Sequence, residues 1–500
     1  MKLNFILTLA SLSVITGLVS ATSVDLKLKR ETSLLIDPAG LPTLPTVNAA
    51  KAAASAANIN LDDIQGDILI GMLKNMELFF FFGIANATDF KAKLKSDILP
   101  LVTSTTQLLD NSTQPITALN IAFSQTGLLA LNVTDSMSDV PFAGGQAVDP
   151  NLGDPGTTNW VPEFVGTNIH GVILLASDTL DNINSQLASL KSALGDSVTE
   201  IYSLQGAARP DNEKGHEHFG FLDGISNPAV VGFRTPLPGQ AVVPTGEILV
   251  GETGDRITGR PSWAKDGSFL VFRQLKQLVP EFNKFLTDNP IQQPGLTPQN
   301  GSDLLGARMM GRWKSGAPVF LAPLADEPEL GRDTSRNNDF NYADPTTGLV
   351  NTTDQTKCPF SAHIRKTRPR ADLGLPENST SNHHIIRAGI PYGPEVSTEE
   401  ASSNTTATER GLAFVAYQSS IGNGFQFLQK LWADKTNFVH GNVGFDPIIG
   451  ANKGASRVVN GLDPTDPTRS ITLVTDFVVS RGGEYFFSPS LSAIANTLSV

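Results

Sequence analysis

The stretch Glu77-Leu78-Phe79-Phe80-Phe81-Phe82-Gly83-Ile84 sets four consecutive phenylalanines in an almost wholly apolar run. A strand wetted on one side alternates apolar and polar residues, so an unbroken apolar run of this length reads as a strand buried on both faces. Just beyond it, Ala87–Leu99 carries Phe90, Leu94 and Ile98 at helical spacing. Further on, Thr117–Phe123, Gly171–Ser177 and Val198–Leu204 read as strands, with helices over Gln125–Leu131 and Thr179–Leu194. The second half repeats the theme with longer loops. It offers strands at Ser268–Gln274 and Leu412–Gln418, helices around Pro280–Leu286 and over Gly422–Ala433, and closing strands at Ile471–Val479 and Tyr485–Ser488. Asn289–Asn300 and Asp326–Lys357, rich in Pro, Gly, Asn and Asp, read as loops. Strands mixed with helices of this length predict an α+β layer, and two such halves facing one another would leave a cleft between them for a ligand. Periodicity alone leaves a doubly wound sheet open.

At 500 residues the chain exceeds what one core usually organises, which predicts two domains or one duplicated unit. A net charge of -12 repels phosphate backbones and anionic lipid, so neither nucleic acid nor a membrane surface is an expected partner. Residues 1–21, with Lys2, an apolar run from Phe5 to Val19 and small residues Val19-Ser20-Ala21, have the layout of a secretory signal peptide. Residues 22–57, charged, then Pro-rich, then Ala-rich, read as a leader removed with it; a short helix over the Ala run is the alternative. Export fits the sequons at Asn86, Asn111, Asn132, Asn300, Asn351, Asn378 and Asn404, although Asn132 lies in an apolar stretch that could bury it. The single cysteine, Cys358, excludes an intrachain disulfide and cysteine-rich zinc or iron–sulfur sites.

Three stretches set ionisable residues among glycines and apolar residues. In His218-Phe219-Gly220-Phe221-Leu222-Asp223-Gly224-Ile225-Ser226-Asn227-Pro228, glycines on both sides of Asp223 let the backbone pass close to a flat ligand, though a turn with a local Asp cap looks the same. In Cys358-Pro359-Phe360-Ser361-Ala362-His363-Ile364-Arg365-Lys366-Thr367, a histidine precedes a basic run ending at Arg370; a surface histidine in a charged loop is the bland reading. In Asn382-His383-His384-Ile385-Ile386-Arg387-Ala388-Gly389-Ile390-Pro391-Tyr392-Gly393, adjacent histidines on a strand point to opposite faces and make no zinc set. Arg387 among isoleucines suits a cation aimed into a site, or an ordinary ion pair.

Together these stretches resemble the signatures of dye-decolourising peroxidases of the secreted fungal type. So do Asp266–Leu275 (DGSFLVFRQL), Gly306–Pro318 (GARMMGRWKSGAP) and Glu409–Phe427, and the resemblance runs in order from about Ile64 to Tyr485. It implies two ferredoxin-like α+β modules, antiparallel sheets with helices, enclosing one haem b per chain. They are expected over residues 58–225 and 226–500, the second carrying the iron ligand. It implies His363 as that ligand, Asp223 as the distal acid/base and Arg387 as the distal cation. Asp446 would take the His363 ring N–H, Arg365 and Arg370 would meet the haem propionates, and Leu412 and Phe414 would line the distal side. Tyr392 and Trp432 are implied as electron relays for dyes too large to enter. The implied substrates are hydrogen peroxide and aromatic small-molecule reductants, dyes and phenols, oxidised through a ferryl porphyrin radical. A haem-handling protein that releases iron, and a cofactor-free secreted binding module, are the rival readings.

An aspartate where a distal histidine is more familiar has a measurable consequence. At pH about 4 an unperturbed His is only ~0.3% neutral, whereas an unperturbed Asp is roughly half ionised. Peroxidase turnover is therefore expected at roughly pH 3 to 5. A rate profile peaking above neutrality with the haem intact would exclude Asp223 as the base.

Overall fold

The computed structural model describes residues 40–72, 74–166, 168–374 and 382–500. The expected signal peptide, the first part of the expected leader and the Asn378 sequon lie outside them. The first half supplies strands β1 (Met76–Ile84), β2 (Ala118–Phe123), β3 (Gly171–Ser177) and β4 (Val198–Ala207). The second supplies β5 (Ser268–Gln277), β6 (Ile390–Tyr392), β7 (Gly411–Gln418) and β8 (Val478–Ser488), with a two-residue strand Ile386–Arg387 beside β7. The order β5-β8-β2-β3-β1-β4-β6-β7, with β7 returning to β5, closes the sheet into a ring. Within each half the strands run in the 4-1-3-2 order of a ferredoxin-like module, and β2–β8 and β4–β6 join the halves edge to edge. Each of these two junctions is a single residue pair, Phe123 with Phe487 and Gly206 with Tyr392.

The phenylalanine run explains how the ring is filled. Strands β1 and β5 are four steps apart either way round, yet the Phe272 ring of β5 lies 5.0 Å from Phe79 and 4.9 Å from Phe81. Those side chains meet across the interior, joined by Phe164 and Phe486. Phe80 and Phe82 point outward, where Phe90 of the helix Ala87–Lys93 and the helix Leu180–Leu194 cover them. Both faces of the strand are dry, which is why all four positions are apolar. The expected cleft between facing halves is therefore absent: that space is the aromatic core of the ring.

Several expectations need revision. Pro298–Met310 is a helix that the Asn300-Gly301 pair disguised as a turn. Gly301 and Gly306 are there for close packing, since a Cβ on them would stand 2.2 Å from the Ile291 carbonyl oxygen and 2.9 Å from Leu286. Ile471–Val479 is not one strand. Ser470–Leu473 pairs with Arg457–Asn460, and the closing strand is continuous from Val478 with a bulge after Ser480. The leader is also ordered near its end, because Val47–Ala57 is a helix with Ala50 and Ala54 buried in the main core. Asn132 is exposed, as are the other sequon asparagines among the described residues. Among the described residues no helix is long and apolar enough to cross a membrane.

One end of the ring interior holds a polar cluster. The Tyr417 hydroxyl donates to Asp67 at 2.5 Å, and the Lys74 ammonium lies 2.7 Å from Glu77 Oε2 and 3.7 Å from Asp67. Burial pushes the Glu77 carboxyl up to about 8; Lys74 opposes the shift and Asp67 adds to it. A folded-state value above the ordinary one means the fold binds the proton. The associated stability is complete below the ordinary value and is lost as pH rises through about 8. Glu77→Gln, which cannot ionise, should therefore flatten the fall in Tm between mildly acid and alkaline pH. Calorimetry showing the same slope in both proteins would exclude Glu77 as the titrating group.

Candidate active site

A cavity of about 600 Å³ opens on the outer face of the second half's sheet. That lies within the ~300–1,000 Å³ usual for cofactor sites. Its wall follows strand geometry. Residues two apart face the same way, so Leu412 and Phe414 of β7 and their partners Leu275 and Arg273 of β5 line it, while Ala413, Val415 and Phe272 point into the ring. Of the chain up to the end of β4, only the loop Leu152–Pro155 and Asn159 line it; the stretch from Glu217 to Ile225, placed by the sequence reading at the end of the first module, lines it as well.

Asp223, His363 and Arg387 all line this one cavity. Arg387 leaves its short strand beside β7 and bonds through Nη1 to Asp223 Oδ1, which also accepts from the Gly224 backbone N–H at 2.7 Å. Burial pushes the Asp223 carboxyl up, but the Arg387 guanidinium, the Gly224 N–H and the more distant His363 outweigh it and hold the group below the usual carboxylate range. Glu217, buried at the start of the same loop, shapes it by accepting the backbone N–H groups of Phe219 and Phe221, each at 2.9 Å. Asn227 clamps Arg387 at two points: its Oδ1 accepts the Arg387 N–H at 3.1 Å and its Nδ2 donates to the Arg387 carbonyl at 3.0 Å.

His363 begins a five-residue helix, His363–Thr367, pinned by Lys366, whose Nζ donates to the carbonyls of Lys435 and Gly444. The His363 Nδ1 donates to Asp446 Oδ2 at 2.8 Å. Asp446 is fully buried, and its Oδ1 accepts the backbone N–H groups of Ile448 and Ile449. Burial pushes the Asp446 carboxyl up, but His363 and those two N–H groups more than offset this and keep it below the ordinary range. With Nδ1 committed, Nε2 is the ring nitrogen left for the cavity, as an imidazole ligand requires.

The remaining candidates divide. Arg370 lines the cavity, held by the carbonyls of Phe340, Asn338 and Gly239 and by Asn338 Oδ1. Arg365 does not line it, which corrects the expected propionate contact. Its guanidinium turns inward to Asp372 at 2.7 and 2.9 Å and to the Cys358 carbonyl, between the rings of Tyr342 and Phe360. Tyr392 and Trp432 are both buried rather than on the surface. The Tyr392 hydroxyl donates to Glu409 at 3.1 Å, and Trp432 stacks on Phe438, its ring 5.5 Å from that of the cavity-lining His383. Arg312, within Gly306–Pro318, is a site residue that the sequence does not single out. It is a buried cation in the cavity wall whose acceptors are all uncharged, the carbonyls of Gly316 and Asn337, Ser226 Oγ and Asn338 Oδ1. Burial pushes it down to about 9, with Arg370 and Arg387 adding repulsion. A cavity lined by such a cation, by an imidazole whose Nδ1 is already engaged and by apolar strands suits a flat macrocycle that carries carboxylates and a metal.

Comparison with known proteins agrees. Residues 63–210 match the model described as the DyP dimeric alpha+beta barrel domain, and residues 216–440 the Dyp-type peroxidase C-terminal model. Peroxidase 2 of Mycetinis scorodonius is 62% identical over 492 residues, covering 95% of this chain and 94% of that one. The chain belongs to the dye-decolourising peroxidase family. A dye-decolorizing peroxidase of Auricularia auricula-judae is 57% identical over 478 residues, covering 94% of this chain and 92% of that one. A crystal structure of a fungal DyP-type peroxidase from the same organism matches with TM-score 0.85 and 58% identity, over 88% of this chain and 99% of that one. A deferrochelatase of Yersinia pseudotuberculosis is 26% identical over only 52% of this chain, so the iron-handling likeness is partial. The chain is a haem-dependent peroxidase of the dye-decolourising type, and it acts on hydrogen peroxide and organic reductants.

The Asn227 clamp yields a test. Two hydrogen bonds of ~0.5–1.5 kcal/mol each hold the backbone from which Arg387 projects. Asn227→Ala should slow the bimolecular reaction with hydrogen peroxide by about ten-fold. The Soret band should be kept, and stopped-flow absorbance measures both.

Proposed function

We propose that this dye-decolourising peroxidase is a secreted glycoprotein that binds one haem b per chain through His363 and uses hydrogen peroxide to oxidise aromatic dyes and phenolic compounds. The observation that carries the reading is the convergence of His363, Asp223 and Arg387 on one cavity, with His363 backed by a buried, ionised Asp446. Bound there, the haem supplies the redox chemistry that splits the peroxide O–O bond. A carboxylate on the His363 N–H makes the imidazole a stronger donor to a metal. Arg312 and Arg370 in the same wall suit the two propionates.

The distal residues handle the proton. Asp223 Oδ1 is engaged by Arg387 and Gly224, so Oδ2 is the oxygen left to take a proton from peroxide and return it to the departing oxygen. Arg387, permanently charged, stabilises the negative charge that develops on that oxygen. By holding the Asp223 carboxyl below the usual range, it also keeps the base ionised in acid. Leu412 and Phe414 keep water and bulky substrates from the distal side. For dyes too large to enter, Trp432 serves as relay, one aromatic contact from His383 in the wall. Tyr392 is the second candidate.

Asp223→Asn should keep the Soret band and lose about 10²–10⁴-fold in the reaction with peroxide. His363→Ala should lose or shift the band. A colourless wild-type protein would sink the reading, and an unchanged peroxide rate in Asp223→Asn would remove Asp223 from it.

A further inference from the structure

Two histidines just before Arg387 take no part in the chemistry assigned to Asp223 and Arg387. Residues 382–385 lie outside any helix or strand, so His383 and His384 are not held to opposite faces, and both line the cavity that holds Asp223 and Arg387. Both also line a second cavity, of about 260 Å³, so this segment is a partition between the two. Glu247, Asp255, Arg256, Asn382 and Gln418 make the second cavity polar, and the exposure of Gly254 and Arg256 opens it to solvent. Gln418, only 1% exposed, shows what the space suits. Its Nε2 donates to the carbonyls of Phe269 and Ala416, at 2.8 and 3.1 Å, which fixes the amide. Its buried Oε1 then meets no donor among the described residues. A buried acceptor of that kind is ordinarily met by a water.

Peroxide reduction needs protons from outside. Hydrogen peroxide, two electrons and two protons give two waters. Asp223 only moves a proton that peroxide already carries from one oxygen to the other, so the first water needs no external proton. The second oxygen needs both. Of the two histidines, His384 is the one placed to carry them. An imidazole relays a proton when each ring nitrogen can exchange one. His383 Nδ1 donates to the Asn423 carbonyl at 2.6 Å, an oxygen that cannot take the proton over, and its ring is stacked on Phe427. His384 Nδ1 instead lies 2.9 Å from Glu247 Oε1, a carboxylate oxygen that also accepts the His384 backbone N–H at 2.8 Å. Glu247 lines the second cavity and not the first, whereas His384 lines both. Among the other charged groups there, Asp255 is paired with Arg260 at 2.8 Å and Arg256 is bonded to Asn382, which leaves Glu247 as the carboxylate for His384.

We infer, resting on the assignment of Asp223 and Arg387 to the peroxide side, that the polar cavity is a proton inlet: protons pass from water at Gln418 to Glu247, and through the His384 imidazole to the oxygen that becomes the second water. Each transfer breaks one O–H or N–H bond and forms the next, and the electrons come from the reductant. Stopped flow on the haem-loaded protein separates the two stages, with ferrocyanide as a one-electron donor that brings no proton of its own. Glu247→Gln keeps an oxygen for the His384 N–H but takes up no proton, and His384→Gln removes the imidazole. In both, the reaction with peroxide and the association of cyanide with the ferric haem should keep wild-type rates. The return to the resting spectrum with saturating ferrocyanide should slow at least about ten-fold, with a larger solvent deuterium isotope effect. Proton uptake, followed with a pH-indicator dye in weak buffer, should slow in step. Return and proton uptake at wild-type rates in both variants overturn the inference. So does equal slowing of the peroxide or cyanide step, which makes the pair part of the distal site instead. A wild-type Soret band indifferent to both peroxide and cyanide refutes the haem site itself.

Discussion

Closing eight strands into a ring and filling it with aromatic side chains is the constraint on which the rest of the molecule depends. Phe79, Phe81, Phe272 and Phe486 meet across the interior, so no cofactor-sized space remains there. Protein interiors are packed as densely as organic crystals, and opening a haem-sized hole among such rings would forfeit many contacts at once. A large ligand must therefore sit outside the ring. On the first half that outer face is already covered by helices. On the second, the loops around Asp223, Arg312, His363 and Asp446 stand over β5 and β7 and leave the cavity beneath them. The strands supply a rigid floor and the loops supply the chemistry.

The same carboxylate chemistry is tuned in two directions by its surroundings. Burial acts to raise both carboxyls, yet Arg387 and the Gly224 N–H at Asp223, and His363 with two backbone N–H groups at Asp446, prevail and hold each below the ordinary range. Glu77 and Asp67 have one lysine between them in the ring interior, and there burial prevails. Asp223 lines the cavity itself, and Asp446 sits behind the cavity-lining His363. In the ring the proton-bound groups only add to stability, and that contribution is greatest in acid, where an ionised distal aspartate still works as a base.

Much of the site was legible because its principal residues fall in short stretches of unusual composition. Asp223 between glycines, His363 before a basic run and Arg387 among isoleucines all stand out in the sequence alone. Asn227, in the Asp223 stretch, and Arg312, in Gly306–Pro318, are not legible as site residues because their partners, the backbone of Arg387 and Asn338, come from elsewhere in the chain, and Glu217 gives no signal because its partners are backbone N–H groups. Arg365 shows the opposite failure. Proximity to His363 in sequence suggested the cavity, whereas Asp372 and two aromatic rings draw its guanidinium the other way. The helix Pro298–Met310 hid behind an Asn-Gly pair that serves packing instead of a turn.

What the amino-acid sequence settled unaided was local: which segments alternate or run apolar, and which short stretches carry ionisable groups in the pattern of one enzyme family. Those properties depend on residues within a few positions of one another. Only the folded chain decided that Phe79 faces inward and Phe80 outward, that two half-sheets join at both edges, that the cavity lies outside the ring, and that His384 meets Glu247. Each of these is a choice of partner among residues tens to hundreds of positions apart, made by burial and packing summed over the whole molecule.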